Sequence, residues 1–123
     1  MTLADFCAYC LSLPQAEETT PFGPNVLVYK VAGKMFALAS PDDYPPTVNL
    51  KCDPDRAIEL RDQYEEIQPG YHMNKRHWNT LTLEGRLTNK MVRDLTDHSY
   101  QLVVASLPKK VREGLTALPK RPI

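Results

Sequence analysis

The sequence Gly70-Tyr71-His72-Met73-Asn74-Lys75-Arg76-His77-Trp78-Asn79-Thr80 is the densest group of functional side chains in the chain. It contains the only tryptophan, two of the three histidines, two adjacent cations and two side-chain amides. We call residues 70–80 the central segment. A binding surface is expected here, and the strand predicted at its end fixes which side chains share a face of the sheet. No complete catalytic constellation is present in it, so it does not indicate an enzyme.

The composition indicates one globular domain. Of the 123 residues, 42% are hydrophobic and 24% are charged, which is the balance of a chain that folds alone. We assign a single domain to residues 1–118 and a proline-containing tail to residues 119–123.

The charges are balanced overall but not along the chain. The formal net charge is zero, so the whole molecule offers no strong long-range attraction to nucleic acid or anionic lipid. Residues 1–66 carry 5 Lys and Arg against 11 Asp and Glu, whereas residues 67–123 carry 10 against 4. If the two halves fold onto different faces, the molecule has an electric dipole. If they interleave in the fold, the charges are not separated and there is no such dipole.

The N-terminus and the cysteines indicate a cytoplasmic protein with reduced thiols. The first residues lack the basic start of a secretory signal, and no run approaches the roughly 18 apolar residues of a membrane span. Three cysteines fit free thiols better than a disulfide framework. Cys7 and Cys10 lie on the apolar side of a predicted helix, which favours buried structural thiols over a redox motif.

The periodicity predicts an α+β fold. We expect helices at residues 2–13, 53–66 and 89–107 and strands at residues 25–31, 35–39, 47–52 and 77–83, with a short basic helix after Pro108. Residues 15–24 form a polar loop with room for a short strand, residues 67–68 look extended, and Pro69-Gly70 makes a turn. The order predicts a two-layer sandwich, in which the N- and C-terminal helices pack on one face of an antiparallel sheet and the other face stays open.

The central segment also resembles a known signature. Asn74 to Thr80, preceded by Tyr71-His72 and followed by a strand and Gly85, is similar to the signature of the MmcQ/YjbR-like family of small bacterial proteins. The likeness extends over nearly the whole chain, through Leu13-Pro14, Lys51 and Ser99-Tyr100.

This resemblance implies a CyaY-like, frataxin-like α+β sandwich and DNA binding through a "double-wing" arrangement of hairpins. Iron binding of the frataxin type is not carried over, because it depends on a strongly acidic first helix and here that helix offers only Asp5. A fold by itself does not fix a function.

Strand alternation places Trp78 on the open face. His77, Asn79, Leu81 and Leu83 share the other side, which the leucines assign to the helix layer. An exposed indole beside Lys75 and Arg76 could stack on a base while the cations meet phosphate. The alternative is a Trp78 that is turned inward, beside cations that only keep the loop soluble.

The candidate residues of a binding site are Lys51, Tyr71, His72, Asn74, Lys75, Arg76, His77 and Trp78. Asn74 is expected to fix the turn through its side chain. His72, His77 and Cys52 match no established zinc spacing, so we expect neither a metal nor another cofactor.

Two functions follow from this surface. The first is non-enzymatic nucleic-acid binding, with DNA as the partner, through the basic and aromatic surface around residues 71–80. The alternative is a binding module for a small anionic ligand or a protein partner on the same open sheet face. An enzyme using His72 or His77 ranks last, because neither histidine has an evident catalytic partner in the sequence.

Overall fold

The computed structural model describes residues 1–70 and 73–116. Four helices are present in these residues: α1 (Leu3–Ser12), α2 (Pro54–Gln63), α3 (Asn89–Ala105) and α4 (Lys109–Thr116). Six strands accompany them: β1 (Ala16–Thr19), β2 (Leu27–Val31), β3 (Lys34–Ser40), β4 (Thr47–Lys51), β5 (Ile67–Pro69) and β6 (Trp78–Thr82). Within these described parts, no helix combines the length and the apolar character that crossing a membrane requires.

The strands form one antiparallel sheet in the order β1-β2-β3-β4-β6-β5. The predicted α+β class and antiparallel sheet are therefore confirmed. β4, from the acidic half of the chain, pairs with β6 from the basic half. The two halves interleave within the sheet and do not form two separate faces.

Polar side chains cap the N-termini of α1, α2 and α3 where the sequence predicts that these helices start. The Thr2 hydroxyl accepts a hydrogen bond from the Asp5 amide at 3.0 Å. The Asp53 carboxylate accepts two from the first turn of α2, which Pro54 opens, and the Thr88 hydroxyl accepts one from Met91 at 3.1 Å. Each cap satisfies amides that have no partner inside the helix, so each boundary is set locally.

The helices cover one face of the sheet, as predicted, and the main core lies between the two layers. Its largest fully buried side chains include Phe6, Tyr29, Phe36, Leu50, Ile67 and Leu81. A register irregularity between β2 and β3 lets the consecutive residues Phe36 and Ala37 both enter this core. Phe36 then meets the Tyr100 ring of α3 edge to face at 5.3 Å.

The opposite face of the sheet is not fully open. Val28, Leu38 and Trp78 form a second, smaller buried cluster there, and Val26, Met35 and Met73 pack against it. The sequence predicted an open face, whereas the structure shows that its centre is apolar and shielded from solvent.

Residues 16–19 form the short strand for which the sequence left room. Two details differ from the sequence prediction. Residues 67–69 are a strand that includes Pro69, which was expected in a turn. Helix α2 ends at Gln63, three residues earlier than predicted, because Tyr64 adopts an extended backbone with φ of −131°. Glu66 is thereby free to pair with β6, its carbonyl accepting from the Thr82 amide at 2.8 Å. The predicted tail at 119–123 lies outside the described residues.

Ser99 ties α3 to the middle of the sheet. Its buried hydroxyl donates to the Phe36 carbonyl at 2.5 Å and accepts from the Lys51 amide at 2.9 Å. We predict that Ser99→Ala lowers the free energy of unfolding by about 2 kcal/mol, because two backbone groups lose a partner in a dry environment. Urea denaturation measures this change. Ser12→Ala is the matched control, since the Ser12 hydroxyl bonds the Tyr9 carbonyl at the surface. Equal losses in both variants would contradict the role given to Ser99.

Candidate functional site

The turn that precedes β6 is fixed by Asn74. Its side-chain oxygen accepts from the Arg76 amide at 3.0 Å, and its carbonyl accepts from the amides of His77 and Trp78 at 3.2 and 3.0 Å. This is the structural role that the sequence predicted for Asn74. Hydrogen bonds that join Asn74 to the amides of Arg76, His77 and Trp78 therefore hold the backbone that carries Lys75 and Arg76.

Arg61 of α2 holds the same turn from the helix layer. Its Nε donates to the Asn79 side chain at 2.7 Å, and its Nη2 donates to the Lys75 carbonyl. Asn79 is only 1% exposed and also donates to the Ala57 carbonyl at 3.4 Å. Nothing in the sequence points to Arg61 as a partner of the central segment, because its contacts there lie 14 and 18 residues further along the chain.

Trp78 lies on the face opposite the helices, as the alternation predicted, yet it is only 8% exposed. Val28 and Leu38 contact it from β2 and β3, and Met73 packs against this cluster from the turn. Gly70 also approaches closely, because a Cβ there would lie 2.8 Å from the Trp78 Cβ. Of the two alternatives that the sequence left open, the exposed indole that stacks on a base is therefore excluded, and the ring is buried. The physical reason is that apolar neighbours from distant strands cover the ring.

Lys75 and Arg76 of the central segment and Lys51 of β4 lie at one end of the sheet. Lys51 ends β4 directly opposite Trp78, and Arg76 precedes Trp78 by two residues. Arg76 is exposed, whereas the Lys75 ammonium donates to the Gly70 carbonyl at 3.1 Å and so braces the turn. In the part of the chain that the structure describes, no ion pair neutralises these three cations.

Lys30 belongs to the same end of the same face. It follows Val28 by two residues and pairs with Met35, so it projects on the side of the second cluster. Lys34, in contrast, donates to the Ser106 hydroxyl at 3.4 Å and thus reaches the helix layer. We call Lys30, Lys51, Lys75 and Arg76 the basic end of the sheet.

The other residues considered for a site, His77 and Cys52, show no catalytic or metal-binding arrangement in the described part of the chain. His77 is half-buried, and its carbonyl accepts from the Cys52 amide at 2.7 Å. Burial raises the pKa of the Cys52 thiol, which makes it a poor nucleophile and a poor metal ligand at neutral pH. Residues 1–70 and 73–116 contain no group of three His, Cys, Asp or Glu side chains able to hold a metal. Tyr71 and His72 lie outside the described residues.

His98 is a titratable group that the sequence analysis did not single out. Its Nε2 accepts from the Asp53 amide at 3.1 Å, a bond that only the unprotonated nitrogen can make. Partial burial, aided by the nearby Arg56 charge, lowers the pKa of His98 from its ordinary value. The folded state therefore binds the proton less tightly than the unfolded chain does.

This shift predicts a pH dependence of stability. The stabilising effect of His98 is fully present above the unfolded pKa of about 6.5, and it is lost as the pH falls through the lower folded pKa. Unfolding free energies measured from pH 7.5 downward should decline in this window. A His98→Gln variant should decline less steeply, and an unchanged slope would show that another group titrates.

The fold and this site define a small two-layer α+β protein with a cation-bearing turn at one end of its sheet. The YjbR family model matches residues 11–102, and the chain belongs to the YjbR family, as the resemblance of its central segment implies.

Relatives agree over most of the chain. The uncharacterized protein YjbR of Escherichia coli (strain K12) is 35% identical over 118 residues, which cover 96% of this chain and 100% of that protein. The uncharacterized protein YbdF of Escherichia coli O157:H7 is 41% identical over 100 residues, covering 81% and 82% of the two chains. The crystal structure of Deinococcus radiodurans protein DR2400, with a DUF419 domain, matches with a TM-score of 0.88 and 39% identity over 96% of this chain and 89% of that one.

Proposed function

We propose that this YjbR-family protein is a non-enzymatic nucleic-acid-binding protein, and that the basic end of its sheet contacts phosphates. The observation that carries the proposal is the exposed Arg76 on a turn fixed by Asn74, at the same end of the sheet as Lys51. Lys51 has no ion-pair partner among the described residues. The DNA binding implied by the family resemblance supports the same interpretation.

Rigidity of the turn favours binding. A cation on a mobile loop pays conformational entropy when it binds, whereas Asn74, Arg61 and the Lys75–Gly70 bond order this backbone beforehand. Arg76 can then meet a phosphate with two parallel N–H groups. Because so few cations are involved and the net charge is zero, we expect binding to be modest and strongly weakened by salt.

Trp78 does not take the base-stacking part that the sequence left open as one alternative. Its ring supports the sheet beneath the cations and does not contact bases. Recognition would therefore depend on the backbone of the nucleic acid and carry little sequence preference. The alternative function, in which a small anion or a protein partner uses Trp78 as an exposed anchor on the open face, loses that anchor.

The test is fluorescence anisotropy of labelled single-stranded and duplex DNA over a series of salt concentrations. The variant is Lys51→Gln with Arg76→Gln, which keeps the apolar stems of both side chains. We expect it to bind duplex at least about tenfold more weakly at low salt, with a log–log salt slope smaller by about 2. The matched control is Arg93→Gln with Lys110→Gln, which removes the same charge from exposed sites on α3 and α4. The control should bind like the parent protein.

Two outcomes would overturn the proposal. One is no binding of either DNA at low salt. The other is an equal loss in the control pair, since general charge and not the basic end of the sheet would then explain the affinity.

A further inference from the structure

A cavity of about 350 Å³ lies in the helix layer, between α2 and the start of α3. Its floor is apolar and comes from Leu60, Met91 and Leu95. Its rim is basic and comes from Arg56, Arg86 and Lys90. An apolar concave surface with a few charged groups at its mouth is the usual form of a small-molecule site, and the volume is at the lower end for such sites.

One wall of the cavity is rigid. The Arg86 guanidinium lies 5.2 Å from the centre of the Tyr64 ring, and its Nη2 donates to the Gln63 carbonyl at 3.0 Å. The Arg86 amide in turn donates to the Glu66 carboxylate at 2.7 Å. These contacts fix the loop after Gly85 and hold the Tyr64 ring against the cavity without any ligand.

The charges at the rim are not fully neutralised. Lys90 pairs with Asp94 at 3.1 Å, and Arg86 lies 3.6 Å from the Glu66 carboxylate. Asp94 is the acid that lines the cavity itself. Arg56 is exposed, and its guanidinium makes no ion pair within residues 1–70 and 73–116. One cation is therefore available beside an apolar floor.

We infer that this cavity binds a small organic carboxylate that carries an aromatic or branched apolar group. The carboxylate meets the free Arg56 guanidinium, and the apolar group lies on Leu60, Met91 and Leu95 beside the Tyr64 ring. Arg is suited to this task because its planar fork matches both carboxylate oxygens. The site is separate from the basic end of the sheet, which projects from the opposite face, so either proposal can fail alone.

The test is a titration of the full-length ¹⁵N-labelled protein with benzoate, in which binding is monitored through the amide chemical shifts. Benzamide, which has the same shape but no charge, is the matched probe. We expect benzoate to shift the amides of residues 60–64 and 86–95 with a Kd on the order of 1 mM, as suits so small a ligand. Benzamide should bind about tenfold more weakly, because it cannot form the charge-assisted pair.

Variants then assign the carboxylate contact. Arg56→Gln should weaken benzoate binding about tenfold, which corresponds to one charge-assisted hydrogen bond. Arg93→Gln removes an exposed cation of α3 that does not line the cavity and should leave binding unchanged. Amide resonances far from the substituted residue that keep the chemical shifts of the parent protein verify that each variant is folded.

Three results would overturn the inference. The first is that no amide shifts at about 20 mM benzoate, some twenty times the expected Kd. The second is that the shifts are confined to residues 73–78. The third is that benzamide binds as tightly as benzoate, or that the folded Arg56→Gln variant binds benzoate as tightly as the parent protein. DNA anisotropy of Arg56→Gln, expected to match the parent protein, separates failure of this site from failure of the nucleic-acid proposal.

Discussion

Replacing Trp78 with alanine is expected to lower the free energy of unfolding by about 3–5 kcal/mol, the range found when a large aromatic side chain is removed from a core. The ring is only 8% exposed, and Val28 and Leu38 contact it from neighbouring strands. Val28 and Leu38 are held in their strands, so the space left by the ring closes only in part. Urea denaturation followed by circular dichroism measures the loss, because the variant has no tryptophan fluorescence.

Two further variants show that burial causes this effect. Phe22 is 64% exposed, so Phe22→Ala should change stability by less than about 0.5 kcal/mol. Trp78→Phe retains an aromatic ring and should lose clearly less stability than Trp78→Ala. A folded Trp78→Phe protein should also keep the DNA affinity of the parent. If it binds DNA much more weakly while remaining folded, Trp78 contacts the ligand and the supporting role given to it is wrong.

Gly85→Ala is expected to lower the free energy of unfolding by more than about 2 kcal/mol, from two separate sources. Gly85 has a φ of +80°, a conformation that costs an alanine roughly 1–2 kcal/mol. A Cβ at this position would also overlap the Glu66 carboxylate, which accepts from the Arg86 amide. Moving that carboxylate away breaks its bond with the Arg86 amide, so the loss should exceed the backbone cost alone.

Gly114→Ala is the matched control for this prediction. Gly114 lies inside α4, and an added Cβ there meets no atom within 4 Å. The same substitution should therefore stabilise the protein by about 0.5–1 kcal/mol, because alanine is the better helix former. Thermal or urea unfolding that shows both variants changing in the same direction would contradict the account of Gly85.

Local features of the fold could be predicted from the sequence because their causes are local. Thr2, Asp53 and Thr88 each bond to amides two or three residues away, so the start of each helix is visible in a short window. The face of each strand is equally local, because successive side chains alternate. Asn74 likewise bonds to the amide two residues ahead, and its role in the turn was predicted from its type and place.

The candidate site was predicted only in part, because its decisive contacts join distant residues. Trp78 was assigned to the correct face of the sheet. Its burial, however, depends on strands about 40 to 50 residues earlier in the chain. The alternation of side chains along a strand does not indicate which residues cover a face. Arg61 and Asn79 are 18 residues apart, and the Ser99 hydroxyl reaches Phe36 across 63. No periodic pattern encodes such pairs.

The sequence by itself determined the fold class, the helix starts, the strand faces and the segment that carries the cations, since each follows from periodicity or from bonds within a few residues. Only the tertiary structure decided that Trp78 is buried, that Arg61 holds the turn, and that α2 and α3 border a cavity lined by Arg56. The physical reason is that burial and enclosure depend on the pairing of strands and the packing of helices far apart in the chain.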